Sequence, residues 1–353
     1  MKTLNKLFIA IVVSVFLGVP AIAQDGAKLF GLVTPMPDRA ERADGEEVIP
    51  ETILYSIDPD TGAATAIGAT TGFTNCTGLD FEPGTNDLYA VCSRLEEEEI
   101  KLQVSPGEPE AVGFVLVKVD RNTGQAAEIG PLGFIGGKSD RITDISFRSD
   151  GVLFAHINAS GPNKAVEPEV SSRINGIQGN SLGIIDTVTG QLTILGPTGS
   201  PDDAGAIGFS LRDILYLAAS NELEDSLNVL NQNTGAAGFL NFLNYQPPIN
   251  DYFNTVTSMD IQPIKGYTFA SVQSEKFEPR DDNGDPIEYF LTTIEPRTGQ
   301  VKVIGRTVDF LFAIAFLNEE RVVVPTLSEW GLIALSGMLL LSGAFYLRRR
   351  VSA

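Results

Sequence analysis

Asp281, Asn283, Asp285 and Glu288 lie in the stretch DDNGDPIE and offer oxygen ligands at nearly alternate positions around Gly284. Oxygen donors gathered about a residue that permits a tight turn are what a hard cation such as calcium requires. The order departs from the EF-hand loop, because Gly284 precedes Asp285 and no flanking helical pattern is present. Calcium is thus the only cofactor the sequence suggests, against the ordinary alternative of a solvated acidic loop. Catalysis has less to work with. His156, in LFAHIN, is the single histidine; this excludes multi-histidine zinc sites and makes a structural role the expectation. A Ser-His-Asp arrangement would need His156 beside a reactive serine. Paired carboxylates for glycoside hydrolysis would have to be identified by geometry, since acidic residues abound and nothing in the sequence selects two. No catalytic residue is assigned.

Charge narrows the partners. The chain has 45 Asp and Glu against 25 Lys and Arg, a net charge of −20. Such a molecule repels the phosphates of nucleic acid and the headgroups of an anionic membrane surface. Cys76 and Cys92 are the whole thiol inventory, and in an exported protein an even count reads as a disulfide.

The elements that would position these groups come as repeats. LYSIDPDTGAATAIG begins at Leu54, LVKVDRNTGQAAEIG at Leu116 and LGIIDTVTGQLTILG at Leu182; LNVLNQNTGAAGFLN follows from Leu227 and LTTIEPRTGQVKVIG from Leu291. Each reads as strand, Thr-Gly turn, strand. The glycine (Gly62, Gly124, Gly190, Gly235, Gly299) falls where a hairpin loop requires positive φ. Five copies at hairpin positions favour a structural over a catalytic or metal-binding reading of the Thr-Gly motif. A second strand pair follows each hairpin, as in CTGLDFEPGTNDLYAVC from Cys76 and ITDISFRSDGVLFAHI from Ile142. Its first strand is short and apolar, suited to an inner position, and its second alternates around an LYA-like core.

Four antiparallel strands per repeat without helical periodicity indicate an all-β β-propeller. Five four-stranded blades are expected, with six as the alternative if Arg321–Val324 builds further structure, and an open β-sandwich as the other. KLFGLVT (28–34) is a second strand lacking a first, and FAIAF (312–316) a first strand lacking its successors. Together they would complete one blade and close the ring. Folding 76–92 about Gly84 would set Cys76 opposite Cys92, Leu79 opposite Tyr89 and Phe81 opposite Asp87. Long insertions at 35–51, 94–111, 158–179 and 273–288 all connect second to third strands and so emerge on one face, the expected ligand surface.

The two ends carry addresses. Lys2 and Lys6, the apolar run Leu7–Val19 and Ala21-Ile22-Ala23 compose a signal peptide, residues 1–23, for the Sec translocon. The propeller domain is expected over 24–323 and a C-terminal sorting region over 324–353. There, Gly331–Leu347 is a seventeen-residue apolar run, enough for a transmembrane helix. Trp330 marks its outer boundary, and Arg348, Arg349 and Arg350 stop transfer and hold the tail in the cytoplasm.

The order Val324-Pro325-Thr326-Leu327-Ser328-Glu329-Trp330, then the span, then the arginines, closely resembles the IPTL-CTERM sorting signal of Gram-negative bacteria. Val324 stands where isoleucine is usual. The layout is similar to PEP-CTERM signals, and the resemblance implies recognition near Pro325–Leu327 by an exosortase-type membrane protease. It further implies an inner-membrane precursor with its bulk in the periplasm, followed by release or attachment at the cell surface. The repeats resemble, more loosely, TG-repeat propellers of exported bacterial proteins, which says little about ligand. The function expected is non-enzymatic binding of a surface protein or polysaccharide, or a matrix role. The alternative is a hydrolase acting on a carbohydrate or lactone in the channel. Convergent carboxylates in an open funnel would favour the hydrolase, and a plugged channel with a broad loop platform the binder.

Overall fold

The Thr-Gly hairpins set the local geometry. Between β2 (Ile53–Ile57) and β3 (Ala64–Ala69), the Asp58 side chain accepts the Asp60 amide at 2.8 Å. Its backbone carbonyl accepts Gly62 N at 2.8 Å. Gly62 has φ of 78°, and the other four hairpin glycines lie between 70° and 79°. Asp120, Asp186 and Asn231 repeat the side-chain contact in their own turns. The turn chemistry therefore acts as expected in every repeat.

The computed structural model describes residues 27–35, 50–95, 113–133, 141–158, 180–200, 204–220, 224–250, 252–276 and 287–317. The chain divides into two compact units, Met1–Asn318 and Glu319–Ala353, and every described residue belongs to the first. These residues are all-β, without helices, and form five four-stranded blades. From axis to rim, the first blade is β21 (Leu311–Leu317), β1 (Lys28–Val33), β2 and β3. The second is β4 (Phe73–Phe81), β5 (Leu88–Arg94), β6 (Phe114–Val119) and β7 (Ala126–Pro131). The third is β8 (Arg141–Phe147), β9 (Leu153–Asn158), β10 (Ser181–Ile185) and β11 (Leu192–Pro197). The fourth is β12 (Ala204–Phe209), β13 (Leu215–Ser220), β14 (Ser226–Leu230) and β15 (Ala237–Phe242). The fifth is β17 (Tyr252–Ile261), β18 (Thr268–Lys276), β19 (Glu288–Glu295) and β20 (Gln300–Arg306), with β16 (Asn244–Tyr245) added parallel to β20.

Ring closure follows the expected route: β21 pairs with β1, Phe30 opposite Ala315 and Gly31 opposite Ile314. First strands touch in the cycle β21, β4, β8, β12, β17 and back to β21. Five blades are thereby established over six or an open sandwich; Arg321–Val324 lies outside the described residues. Second strands do not alternate as expected. β5 is buried at every position but its last, because each blade is covered by a neighbour on both faces. The fourth insertion is also shorter than expected, since β18 continues through 273–276.

Two devices join adjacent blades. An aromatic residue on a second strand meets, edge to face, the phenylalanine ending the next first strand. The pairs are Phe30–Phe81, Tyr89–Phe147, Phe154–Phe209 and Phe269–Phe316, with ring centroids 4.9–5.5 Å apart; such pairs add about 0.5–1.5 kcal/mol beyond burial. Nearer the rim, each hairpin glycine abuts the preceding blade's fourth strand just after a bulge. A Cβ on Gly124 would fall 2.3 Å from the Gly68 carbonyl oxygen, so this close approach requires glycine as much as the turn does.

Cys76 and Cys92 are joined by a disulfide, both buried. The register around it differs from the expected one: Leu79 faces Ala90, Asp80 faces Tyr89 and Phe81 faces Leu88. The turn has Glu82 N bonded to Asp87 O and Asn86 in left-handed conformation, so its centre lies past Gly84. A shift between Thr77 and Leu79 then restores the alignment that brings the cysteines together. Replacing both cysteines by alanine should lower the unfolding free energy by about 3 kcal/mol in urea titration, the chain-entropy value for a loop of this length.

Candidate functional site: the axial carboxylates

Each first strand turns one hydrogen-bonding edge toward the axis, where no further strand exists to pair with it. An inward-facing side chain must serve those amides or they are left unsatisfied. Near the C-terminal ends of the first strands, one layer consists of Asp80, Ser146, Gly208, Asp260 and Ala315, by equivalence to the residues that follow them. Asp80 Oδ2 accepts Phe147 N of the next blade at 2.6 Å and Ser146 Oγ at 3.3 Å. Ser146 Oγ in turn accepts Phe209 N at 3.2 Å. Asp260 Oδ2 accepts Phe316 N at 2.5 Å. Gly208 and Ala315 offer no acceptor to the blade that follows them. There the aspartate serves its own strand: Asp260 Oδ1 takes Ile261 N at 2.6 Å and Asp80 Oδ1 takes Phe81 N at 2.7 Å. Three polar side chains thus hold all five amides of the layer.

The next layer works through Asp144 and Ser258. Asp144 Oδ1 accepts Ile145 N at 3.0 Å and Ser258 Oγ at 3.2 Å. Its Oδ2 accepts Ile207 N and Met259 N, both at 3.1 Å. Ser258 Oγ accepts Ile314 N at 3.0 Å. One carboxylate therefore ties three blades, and the serine adds a fourth. Asp144 and Ser258 are fully buried, Ser146 is 2% and Asp80 8% exposed, and Asp260 is partly buried. The polar side chains of these two layers are thus taken up by the strands around them.

Burial pushes the Asp80 pKa up to about 7, against the pull of its amide and hydroxyl donors. Asp260 is driven well up by burial and then by the charge of Asp80. Burial also raises Asp144, while four donors act in the opposite direction. Those donors occupy every acceptor position of the Asp144 carboxylate, so a proton there would displace one of them. Asp80 and Asp260 have room to carry one.

Other residues singled out in the sequence fall as follows. His156, on β9, is fully buried, its Nδ1 2.7 Å from Thr143 Oγ1, and burial lowers its pKa to about 3. It is structural, as expected. A run that the reading of the sequence passed over, Gly179-Asn180-Ser181-Leu182-Gly183, has the Gly-x-Ser-x-Gly spacing of a nucleophile elbow. Yet Ser181 opens strand β10 at 1% exposure, not a strand-to-helix turn, so the elbow geometry is absent. Glu288 begins β19 and accepts a hydrogen bond from Arg306 Nη1 at 3.0 Å. Asp281, Asn283 and Asp285 lie outside the described residues, as do the signal peptide, the sorting motif, Gly331–Leu347 and Arg348–Arg350. Among the described residues no cluster of three or more His, Cys, Asp or Glu could hold a metal ion, and no helix is long and apolar enough to cross a membrane.

The axial aspartates are the residues that sequence reasoning missed. Their signal was present: Asp80, Asp144 and Asp260 are acidic residues next to an apolar residue within first strands that carry no other acidic residue. A charge in such a strand is anomalous unless it is bonded.

The described residues thus define an all-β repeat architecture, a five-bladed β-propeller whose first strands are tied together by axial carboxylates. Residues 324–350 match the IPTL-CTERM motif. No curated protein matches the chain in sequence. Among solved structures it is similar to a chain of the nidogen/laminin complex, with 10% identity over 84% of this chain and 100% of that one, TM-score 0.46. It is similar to RS223 β-xylosidase at 10% identity over 80% and 93%, TM-score 0.46. TolB from Acinetobacter baumannii shows 11% identity over 82% and 66%, TM-score 0.40.

Asp144→Asn leaves a nitrogen where two donors now find one oxygen. It should destabilise the propeller by about 2–6 kcal/mol in chemical denaturation, two unsatisfied buried donors at about 1–3 kcal/mol each. Asp80 gives a pH signature. Its folded pKa is raised, so the native state binds more protons than the unfolded one between the unfolded value near ~4 and about 7. The stability it contributes is complete below that window and is lost as pH rises through about 7. The cost of Asp80→Asn, measured from urea midpoints, should therefore shrink from pH 4 to pH 8; a constant cost would contradict the assignment.

Proposed function

We propose that the protein is an exported, surface-sorted propeller that acts by binding, with a protein or polysaccharide ligand at its loop-rich face. The observation that carries this reading is the occupation of the axis. The carboxylates that converge there already accept amides of their own and neighbouring first strands, so they are committed to the ring and not free for a substrate. The connections leaving β1, β5, β9 and β18 all start from one face, opposite the short turns that join first to second strands, so the face with room for variation is away from the acidic layer.

The route to the surface follows from the ends of the chain. Residues 1–23 direct export through the Sec translocon, and 24–323 form the exported domain. Gly331–Leu347 holds the precursor in the inner membrane, with Arg348–Arg350 inside. The IPTL-CTERM match supports recognition around Pro325–Leu327 by an exosortase-type protease, followed by display or release.

One observation favours the hydrolase as second reading: Asp80 and Asp260 share a layer, and burial, with the charge of Asp80 added at Asp260, raises both carboxyls toward the protonated form that acid–base chemistry needs. Against it, using either group on a substrate would unfasten a strand amide from its only acceptor.

Fractionation of cells with mass spectrometry of the mature C-terminus tests the sorting route. Pro325→Ala with Thr326→Ala should leave the C-terminal helix attached and the protein in the inner membrane. Unchanged processing and location would overturn it.

A further inference from the structure

From Ser226 to Asn250 the chain carries no charged residue and no histidine, in a protein of net charge −20. The same stretch holds six asparagines, two glutamines, Phe239, Phe242 and Tyr245. It forms the outer half of the fourth blade, β14 and the rim strand β15, and then β16. The register of β15 slips where Leu240 is inserted: Phe239 faces Asn228, Asn241 faces Leu227, and Phe242 faces Ser226. The slip puts both phenylalanines on one face of the sheet, beside the Asn228 amide and the Ser226 hydroxyl. Their ring centroids are 4.8 Å apart at 59°. Phe239 is 60% and Phe242 55% exposed, with Leu240 at 38%.

Other fourth strands do not look like this. Exposed positions of β3 are Thr65 and Ala66. On β7, Glu128 is held by Arg94, and β20 carries Lys302 and Arg306. Rim strands usually bear charge that discourages association; β3 and β11 are uncharged as well, and what sets β15 apart is its exposed aromatic rings.

We propose that this rim is a docking surface for a neutral polysaccharide. Aromatic faces stack on the C–H faces of pyranose rings, and the Ser226 hydroxyl, held by the buried Asn228 amide at 3.0 Å, is placed to hydrogen-bond to a sugar hydroxyl beside them. The absence of charge matches a neutral chain, while the field of a molecule at −20 turns away anionic glycans. A second copy fits less well. Two phenylalanines and a leucine at these exposures present roughly 300 Å², far below the ~800 Å² per partner of a stable dimer, and two such copies repel. Phe242 and its partner Ser226 lie at the end of the blade where the connection from β13 enters β14, so the patch borders the loop-rich face, but it is built from β14 and β15 and not from the long connections.

Affinity electrophoresis of the full chain in mild detergent, through gels containing dextran, xyloglucan or alginate, tests this. At least one neutral glycan should retard the wild type and alginate should not. Phe239→Ala with Phe242→Ala should weaken the retardation at least fivefold, and Phe242→Asn alone should weaken it less. Both side chains are exposed, so melting temperatures should match the wild type. Retardation by neither neutral glycan would overturn the proposal, as would equal retardation of the variants or stronger retardation by alginate. Self-association that disappears in the double variant, seen by sedimentation, would assign the patch to a dimer instead. Retardation insensitive to both phenylalanines but lost on deleting residues 96–112 would move the ligand to the loop-rich face and sustain that reading alone.

Discussion

The interaction on which the molecule depends is the bond between a first-strand amide and an inward-facing side chain of a neighbouring blade. A first strand has a partner on one edge only. Its other edge faces the axis, where burial makes an unbonded N–H costly. Asp80, Asp144, Ser146, Ser258 and Asp260 supply the missing acceptors, and each of them reaches across to another blade to do so. The ring is therefore held at its centre by polar contacts and further out by apolar ones. The aromatic edge-to-face pairs and the glycine contacts at the bulges then fix how closely adjacent blades approach. Charge at the axis is tolerated because it is bonded, at the cost of raised carboxylate pKa values.

What could be read from the sequence was whatever repeats. Thr-Gly turns, the strand pairs and the split blade shared by KLFGLVT and FAIAF are local patterns, and local patterns survive divergence in loop length. Even the disulfide was legible, since a hairpin links its two cysteines. The register at the hairpin tip was not, because it depends on left-handed Asn86 and on the slip beside Thr77, neither of which periodicity reveals. Burial of the second strands was misjudged for a related reason. Alternation describes a sheet with one wet face, whereas a blade in the interior of the ring has none over β5 or β9.

The Gly-to-Gly contact explains a feature of the repeats that turn chemistry leaves open. A hairpin needs one glycine, yet four of the five repeats end in a second: Gly68, Gly130, Gly196 and Gly305. Three of these lie against the hairpin glycine of the next blade, and Gly305 against Gly62, which closes the circle. The fourth repeat is the exception, with Asn241 and Phe242 meeting Gly299. The same departure from the pattern that exposes the aromatic rim also changes the joint between the fourth and fifth blades.

The axial aspartates escaped a repeat-based reading because they do not repeat, and their stoichiometry shows why they need not. A carboxylate has two oxygens and can serve two strands; a serine hydroxyl accepts from one. Five amides in the Asp80 layer are met by two aspartates and a serine, which frees two positions to be Gly208 and Ala315. An aspartate in every blade would put five charges around one axis, which burial and mutual repulsion forbid. A single aspartate could not reach all five strands. The irregular pattern is therefore the solution that a five-fold ring allows, and it has a consequence for chemistry. Any substitution that made an axial carboxylate available to a ligand would also release an amide from another blade, so reactivity at the axis is coupled to the cohesion of the ring. New binding chemistry meets no such penalty on the loops or on the outer strands, where the residues of β15 differ most from those of the other blades.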